Sequence, residues 1–443
     1  MPMRPRLTVI GTGYLGATHA VCMAELGFEV LGLDVLPEKV ASLQAGTVPF
    51  YEPGLPELLR KNLDSGRLHF TTSFQEVGAF GDVHFVCVGT PQKKGEYAAD
   101  MTFVDAAFTS LLPHVKAGSL LVGKSTVPAG SAERLAEVIA ASRPDVELAW
   151  NPEFLREGFA IADTLTPDRM VFGVRSAEAE AKLREAFAPV IEESSAGPAV
   201  PVVVTDFATA QLVKVAANAF LATKISFINA MAEVCEATGG DVTMLSKALS
   251  YDTRIGGRFL HAGLGFGGGC LPKDIRAFMA RAGELGVDQA LSFLKEVDAI
   301  NLRRRARMID LAREQLGGSC GGRRVAVLGA AFKPNSDDIR DSPALDVAAG
   351  VQKQGAAVTV YDPAAMDNAR RKHPELGYRD SAVDACRGAD IVLHLTEWAE
   401  FRSMDPAVLS GVVHERRIVD GRNALDPEQW RDAGWTYRAL GRP

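Results

Sequence analysis

Leu7-Thr8-Val9-Ile10-Gly11-Thr12-Gly13-Tyr14-Leu15-Gly16 decides the fold. Four strand-forming residues run into a Gly-x-Gly-x-x-Gly turn, and a helix-like stretch begins near Ala17. The glycines permit a tight turn and let backbone N–H groups approach a pyrophosphate at the positive end of the helix. Asp34 closes the next apolar run, 18 residues after Gly16 (34 − 16). A carboxylate there accepts both ribose hydroxyls of a dinucleotide and repels a 2′-phosphate, which favours NAD over NADP. Taken alone, the same residues read as a turn with a capping Asp.

Working outward, short β-rich runs bounded by Gly, Pro or Asp recur at 28–34, 83–88, 119–123, 146–150 and 170–174. Continuous apolar strands separated by helix-like Ala/Leu/Glu stretches are strands buried on both faces, as in a parallel doubly wound sheet. Val88-Gly89-Thr90-Pro91 and Lys124-Ser125-Thr126-Val127-Pro128 each follow such a strand, at the edge where a dinucleotide lies. From Phe207 to Thr238 there is no Gly or Pro, and apolar residues recur at helical spacing, which predicts one helix of roughly 45–50 Å ending at Gly239-Gly240. So long a helix spans two lobes or forms a subunit interface. After the glycine-rich hinge 317–322 the alternation returns, with strands expected at 324–328, 357–362, 391–395 and 417–420. The expected architecture is α/β: two Rossmann-like doubly wound parallel-sheet domains joined by a helical central domain with one long helix. The boundaries fall at 1–200, 201–315 and 316–443, with a cleft between the lobes for two ligands. Leu328-Gly329-Ala330-Ala331-Phe332-Lys333 echoes the first turn without its three glycines, so a second NAD is not expected.

Composition removes other classes. The 443 residues are 47% hydrophobic and 23% charged, ordinary for a globular chain. Lys and Arg number 48 against 55 Asp and Glu, for a net charge of −7, which lacks the basic footprint of a nucleic-acid binder. No uninterrupted apolar run approaches the ~18 residues of a membrane span, and the N-terminus shows no signal-peptide core. Six cysteines scattered without a CxxC pair point to reduced thiols in a cytoplasm. No clustered metal-ligand motif occurs, so no metal is expected.

The chemistry concentrates in Gly263-Leu264-Gly265-Phe266-Gly267-Gly268-Gly269-Cys270-Leu271-Pro272-Lys273-Asp274. A loop this rich in glycine lets backbone approach a ligand closely, and it delivers one thiol with a carboxylate four residues on. Lys214 and Asn218 share a helical face at i and i+4. Glu153 and Glu157 follow a strand in Asn151-Pro152-Glu153-Phe154-Leu155-Arg156-Glu157-Gly158, where they could equally cap the next helix. Lys333, Arg340 and Arg422 lie at strand ends of the second lobe, as suits a nucleotide diphosphate. NAD together with a thiol is informative. Oxidising an alcohol to a carbonyl needs no nucleophile, whereas carrying the carbonyl on to an acid does: a thiolate adds, a second hydride leaves, and the thioester is hydrolysed.

These segments resemble the UDP-glucose/GDP-mannose dehydrogenase family from about residue 6 to 425. The resemblance is carried by GTGYLG, VGTP, KSTVP, NPEFLREG, LVKVAANAFLATKISFIN, RIGGRFL, GFGGGCLPKD, AFKPNSDDIRDSP and DGRN. It implies NAD-dependent four-electron oxidation of UDP-glucose to UDP-glucuronate, with GDP-mannose or another nucleotide sugar as the alternative; RIGGRFL resembles the UDP-glucose branch better. It further implies Cys270 as nucleophile, Lys214 as oxyanion stabiliser, Asp274 and Thr126 as holders of the water, and Glu153 in proton transfer or water binding. Asn218 would orient the sugar. Gly11, Gly13, Tyr14, Leu15, Gly16, Asp34, Lys39, Thr90, Thr126, Glu157 and Arg340 would meet NAD. Glu153, Phe154, Leu155, Glu157, Phe259, Gly263, Gly265, Gly267, Phe332, Lys333 and Arg422 would meet the sugar nucleotide. Arg254 would reach the site of a neighbouring subunit, which implies a homodimer through the long helix.

Overall fold

The computed structural model describes residues 4–192 and 199–442; Met1, Pro2 and Met3 of the N-terminal reading lie outside them. The chain forms two compact units. One holds the chain up to Ala217 together with Arg276–Leu285, and the other holds Asn218–Ile275 and the chain from Gly286 on.

In the first unit, eight strands form one sheet: β1 (Leu7–Ile10), β2 (Val30–Leu33), β3 (Leu68–Thr71), β4 (Val83–Val86), β5 (Leu120–Gly123), β6 (Glu147–Trp150), β7 (Met170–Gly173) and β8 (Val202–Thr205). Their spatial order is β3-β2-β1-β4-β5-β6-β7-β8. Neighbours are parallel except at β6 and β7, which meet antiparallel at Trp150 and Gly173, so β7 and β8 depart from the all-parallel expectation. Alternate residues feed two cores on opposite faces. Leu120 and Val122 join Leu7, Val9 and Phe85 on one side, while Leu121 joins Ile10, Val86 and Trp150 on the other. A sheet covered on both faces needs such continuous apolar strands.

In the second unit, β9 (Arg324–Leu328), β10 (Ala357–Tyr361), β11 (Gly377–Tyr378), β12 (Ile391–His394), β13 (Arg417–Asp420) and β14 (Thr436–Ala439) form an all-parallel sheet in the order β11-β10-β9-β12-β13-β14. The central three-two-one-four pattern of the first sheet is thus repeated, and the strand order reverses beside the first strand in both. The glycine-rich segment 317–322 links the 23-residue helix Phe293–Gln315 to β9, with Gly317, Gly318 and Gly322 at positive φ.

The long helix runs from Phe207 to Thr238 as the sequence predicts, and Gly239 (φ 77°) ends it in the left-handed conformation. By length and mean hydropathy (1.3) it would also pass as a membrane span, although Gln211, Lys214, Asn218, Lys224 and Asn229 interrupt its apolar run.

Candidate active site

The turn after β1 is built as the glycines require. A Cβ on Gly16 would lie 1.9 Å from the Gly11 carbonyl oxygen, and one on Gly11 would lie 2.8 Å from the Val88 side chain. At Gly13 a Cβ would meet nothing within 4 Å, so the N-terminal end of helix Tyr14–Glu25 is open to a ligand. Asp34 stands just past β2, where its Oδ2 accepts the Thr12 N–H at 3.0 Å, the Thr12 hydroxyl at 3.1 Å and Lys39 Nζ at 2.7 Å. Among the described residues its Oδ1 accepts only the Leu36 N–H, at 3.2 Å, and keeps capacity for a ribose hydroxyl. The carboxylate, the turn and the open helix end fit a dinucleotide. Thr90 donates to the Thr126 carbonyl at 2.8 Å, which ties together the two loops that follow β4 and β5.

The loop after β6 is clamped from three directions. Glu153 Oε1 accepts the Phe154 and Leu155 N–H groups at 2.7 and 3.0 Å, while its Oε2 lies 3.1 Å from Lys124 Nζ. Glu157 is half-buried in the same loop. Lys214, half-buried on the long helix, places Nζ 5.4 Å from the centre of the Phe154 ring, so this aromatic side chain faces the expected oxyanion donor. Glu52, unremarked in the sequence, is buried. It accepts the Tyr14 hydroxyl and the N–H groups of Gly158 at 2.6 Å and Ala160 at 2.8 Å. One carboxylate therefore couples the dinucleotide turn to the loop carrying Glu153 and Glu157. Burial, reinforced by Glu52, pushes the Tyr14 hydroxyl far above the ordinary tyrosine range, so it stays a donor.

In the second unit, Cys270 is exposed whereas the other five cysteines are buried. It immediately precedes helix Leu271–Glu284, and its carbonyl accepts the Asp274 N–H at 2.9 Å. Asp274 is buried between Asn218 Nδ2 at 2.7 Å and Lys273 Nζ at 2.5 Å, so the sequence-predicted Asn218 and Asp274 are brought together.

The glycine loop ahead of the thiol is gripped by side chains that the sequence reading missed. Asn229 of the long helix accepts the Gly263 N–H at 2.9 Å. Asn301 of helix Phe293–Gln315 accepts from the Phe266 N–H at 2.7 Å and donates to the Phe266 carbonyl at 2.9 Å. Arg305 donates to the Phe266 carbonyl as well, at 3.2 Å. A Cβ on Gly265 (φ 86°) would fall 2.0 Å from Asn301 Oδ1, and one on Gly267 would fall 2.3 Å from the Asp341 carbonyl. A Cβ on Gly269 would strike the Arg340 guanidinium, which is held by Asp338 and exposed beyond it. No sequence signal singles out the two asparagines, one on the mostly apolar long helix and the other on the charge-rich helix Phe293–Gln315.

Phe332, with Lys333 Nζ 5.3 Å from its ring centre, packs where a Gly268 side chain would stand. Arg422 is committed to the frame of this region. Its guanidinium donates to the carbonyls of Leu395 at 2.8 Å, Gly265 at 2.9 Å and Phe332 at 3.1 Å, and lies 3.3 Å from Glu397. Phe259 adopts φ 66°, a strained conformation for an aromatic residue and a recurrent mark of ligand-facing segments. The Arg254 side chain is 87% exposed and pairs with Asp252.

Asp362, past β10, is the counterpart of Asp34. Its oxygens accept the N–H groups of Ala330, Ala331, Ala364 and Ala365 and the Trp398 indole N–H. Five internal donors leave it nothing for a ribose, which accounts physically for a second sheet of the same order that does not repeat the dinucleotide site.

Family models for the UDP-glucose/GDP-mannose dehydrogenases match in three consecutive parts: the NAD binding domain at residues 5–191, the central domain at 208–303 and the UDP binding domain at 326–427. The chain belongs to this family. It is similar to the UDP-glucose 6-dehydrogenases of Rhizobium meliloti (39% identical, covering 99% of this chain and 100% of the relative) and Rickettsia conorii (40%, covering 98% and 99%). Among solved structures, a UDP-glucose dehydrogenase from Pyrobaculum islandicum superposes with a TM-score of 0.90 at 37% identity, covering 100% of this chain and 98% of that one. The chain is an NAD-binding oxidoreductase of the nucleotide-sugar class, with its turn and Asp34 inside the matched NAD binding domain.

Proposed function

We propose that the protein is a cytoplasmic UDP-glucose 6-dehydrogenase, which oxidises the primary alcohol of UDP-glucose to the carboxylate of UDP-glucuronate with two NAD. The observation that carries this reading is Cys270: one exposed thiol among six, delivered by a tightly gripped glycine loop to the start of a helix. NAD supplies the hydride acceptor, once for each oxidation. The alcohol first loses a hydride and a proton to give the aldehyde. The Cys270 thiolate then adds to the carbonyl carbon, and the resulting thiohemiacetal loses a second hydride to leave a thioester. Water attacks that carbon, the C–S bond breaks, and the thiolate returns as the acid forms. N–H dipoles of the first turn of helix Leu271–Glu284 favour negative charge at residue 270. Lys214 stabilises the oxyanions, and buried Asp274, fixed by Asn218 and Lys273, holds the water together with Thr126.

The three-part division at 1–200, 201–315 and 316–443 assigns NAD binding, catalysis with dimerisation, and UDP-sugar binding. Phe332, Lys333 and the loop stitched by Arg422 form the sugar-nucleotide end, and Arg340 meets NAD. Phe220, Phe227 and Val234, seven residues apart and 48–67% exposed, give the long helix an apolar stripe suited to a second copy of the chain. The exposed Arg254 is available to that partner's site.

The test is NADH yield across UDP-glucose, UDP-galactose, UDP-N-acetyl sugars and GDP-mannose. The expected result is about two NADH per UDP-glucose consumed, and a Cys270→Ser protein that binds both ligands with turnover reduced at least ~10³-fold. One NADH per sugar with an indifferent Cys270 would mean a two-electron dehydrogenase instead. Preference for another nucleotide sugar would overturn the substrate assignment.

A further inference from the structure

Beneath the loop of Glu153 lies a buried ammonium. Lys124 follows β5, is 3% exposed, and is fixed at its backbone by the N–H bond to the Val86 carbonyl at 3.0 Å. Its Nζ donates to Asn151 Oδ1 at 2.8 Å and stands 3.1 Å from Glu153 Oε2. On the other side, the rings of Phe85 and Phe187 stand 6.0 and 5.6 Å away. Asn151 is itself oriented by its bond to the Val171 carbonyl at 3.0 Å. A lysine with one charged partner and otherwise amide and aromatic walls has been placed for that partner.

The neighbours leave the pair its charge. From helix Tyr14–Glu25, His19 and Cys22 face it, and Cys87 faces it from the end of β4. Burial, then Lys124, lowers His19 well below the ordinary histidine range, and burial pushes Cys22 and Cys87 up to about 12. All three are neutral at neutral pH. Glu52 is occupied by Tyr14, Gly158 and Ala160. Lys214 and Arg169 lie against the Phe154 ring beside the same loop, and Glu157 completes it.

We propose that Lys124 is a positioning residue, which holds the Glu153 carboxylate in one orientation so that Glu153 presents one fixed acceptor to the reaction. This deepens the dehydrogenase reading and rests on it. Glu153 Oε1 is filled by two backbone N–H groups and one site of Oε2 by the ammonium, so a single lone-pair direction remains for a substrate hydroxyl or a water. Without the ammonium, Oε2 loses the contact that sets its direction.

The test compares full-length wild type, Lys124→Met, Glu153→Gln and the double variant. For Lys124→Met, kcat/KM with UDP-glucose at neutral pH is expected to fall ~10-fold or more. The loss should lie in kcat, with NAD affinity unchanged. The double variant should be no worse than Glu153→Gln alone. An unchanged kcat or additive losses would overturn the proposal. If Lys124→Met does not fold, Glu153→Gln decides: its kcat should fall ~10-fold or more, and an unchanged kcat refutes the assignment. A wild type inactive on every nucleotide sugar would sink the dehydrogenase reading instead. The pair is then decided by melting temperatures of the same four proteins, where coupled losses support it and additive losses reject it.

Discussion

At the scale of single residues, the glycine loop before Cys270 shows how backbone can be held without side chains of its own. Asn301 pairs with both the N–H and the carbonyl of Phe266, as a neighbouring strand would. Gly265, which sits against that amide at positive φ, cannot accept a methyl group without displacing it. Gly265→Ala is therefore expected to destabilise the protein by about 1–3 kcal/mol and to cut turnover at least ~10-fold, with NAD affinity unchanged. Calorimetry, steady-state kinetics and an NAD titration measure the three quantities, and a fully active Gly265→Ala protein would show the grip to be incidental. The thiol, the lysine-asparagine pair and the two glutamates were legible in the sequence because each is an odd residue in its surroundings. Asn229, Asn301, Lys124 and Glu52 were not, since their meaning lies in partners 27 to 108 positions away along the chain.

Among elements, the strands divide cleanly into those visible in the sequence and those that were not. The interior strands are almost wholly buried and read as apolar runs. The four that escaped notice, β3, β8, β11 and β14, are the outermost strands of the two sheets. β3 and β14 are mixed in polarity and β11 is only two residues long, so no continuous run announces them, whereas β8 is an apolar run, Val202-Val203-Val204, that the reading passed over. Helix Tyr14–Glu25 carries a further consequence in His19, wedged against Phe85 and Phe187 with neither ring nitrogen hydrogen-bonded. Because burial holds its folded pKa below the ordinary ~6.5, the unfolded chain takes up a proton there that the native state refuses. Stability contributed by neutral His19 is present above that pH and is lost as pH falls below it. His84, lowered by burial to about 3, acts in the same direction. Melting temperature should thus fall between pH 7 and 5, and His19→Phe should flatten part of that slope; an unaltered slope would exclude His19 as a source.

On the scale of the whole molecule, one strand order has been used twice, and a carboxylate past the second strand has been put to two uses. Asp34 retains a vacant lone pair, while Asp362 is consumed by its own lobe. The sequence showed the missing glycines of the second turn, but the saturation of Asp362 is a property of the folded chain. The apolar stripe of the long helix gives assembly a direct test. Phe227→Glu is expected to shift the protein from dimer to monomer in analytical ultracentrifugation, whereas an unchanged sedimentation coefficient would place any interface elsewhere.

The burial of five cysteines beside one exposed thiol also sets how the folded protein meets an alkylating reagent. A maleimide or iodoacetamide probe should attach once per chain, at Cys270, with the remaining sulfurs reacting only after denaturation. Protection of that single label by UDP-glucose would then count occupied sites directly, without any turnover.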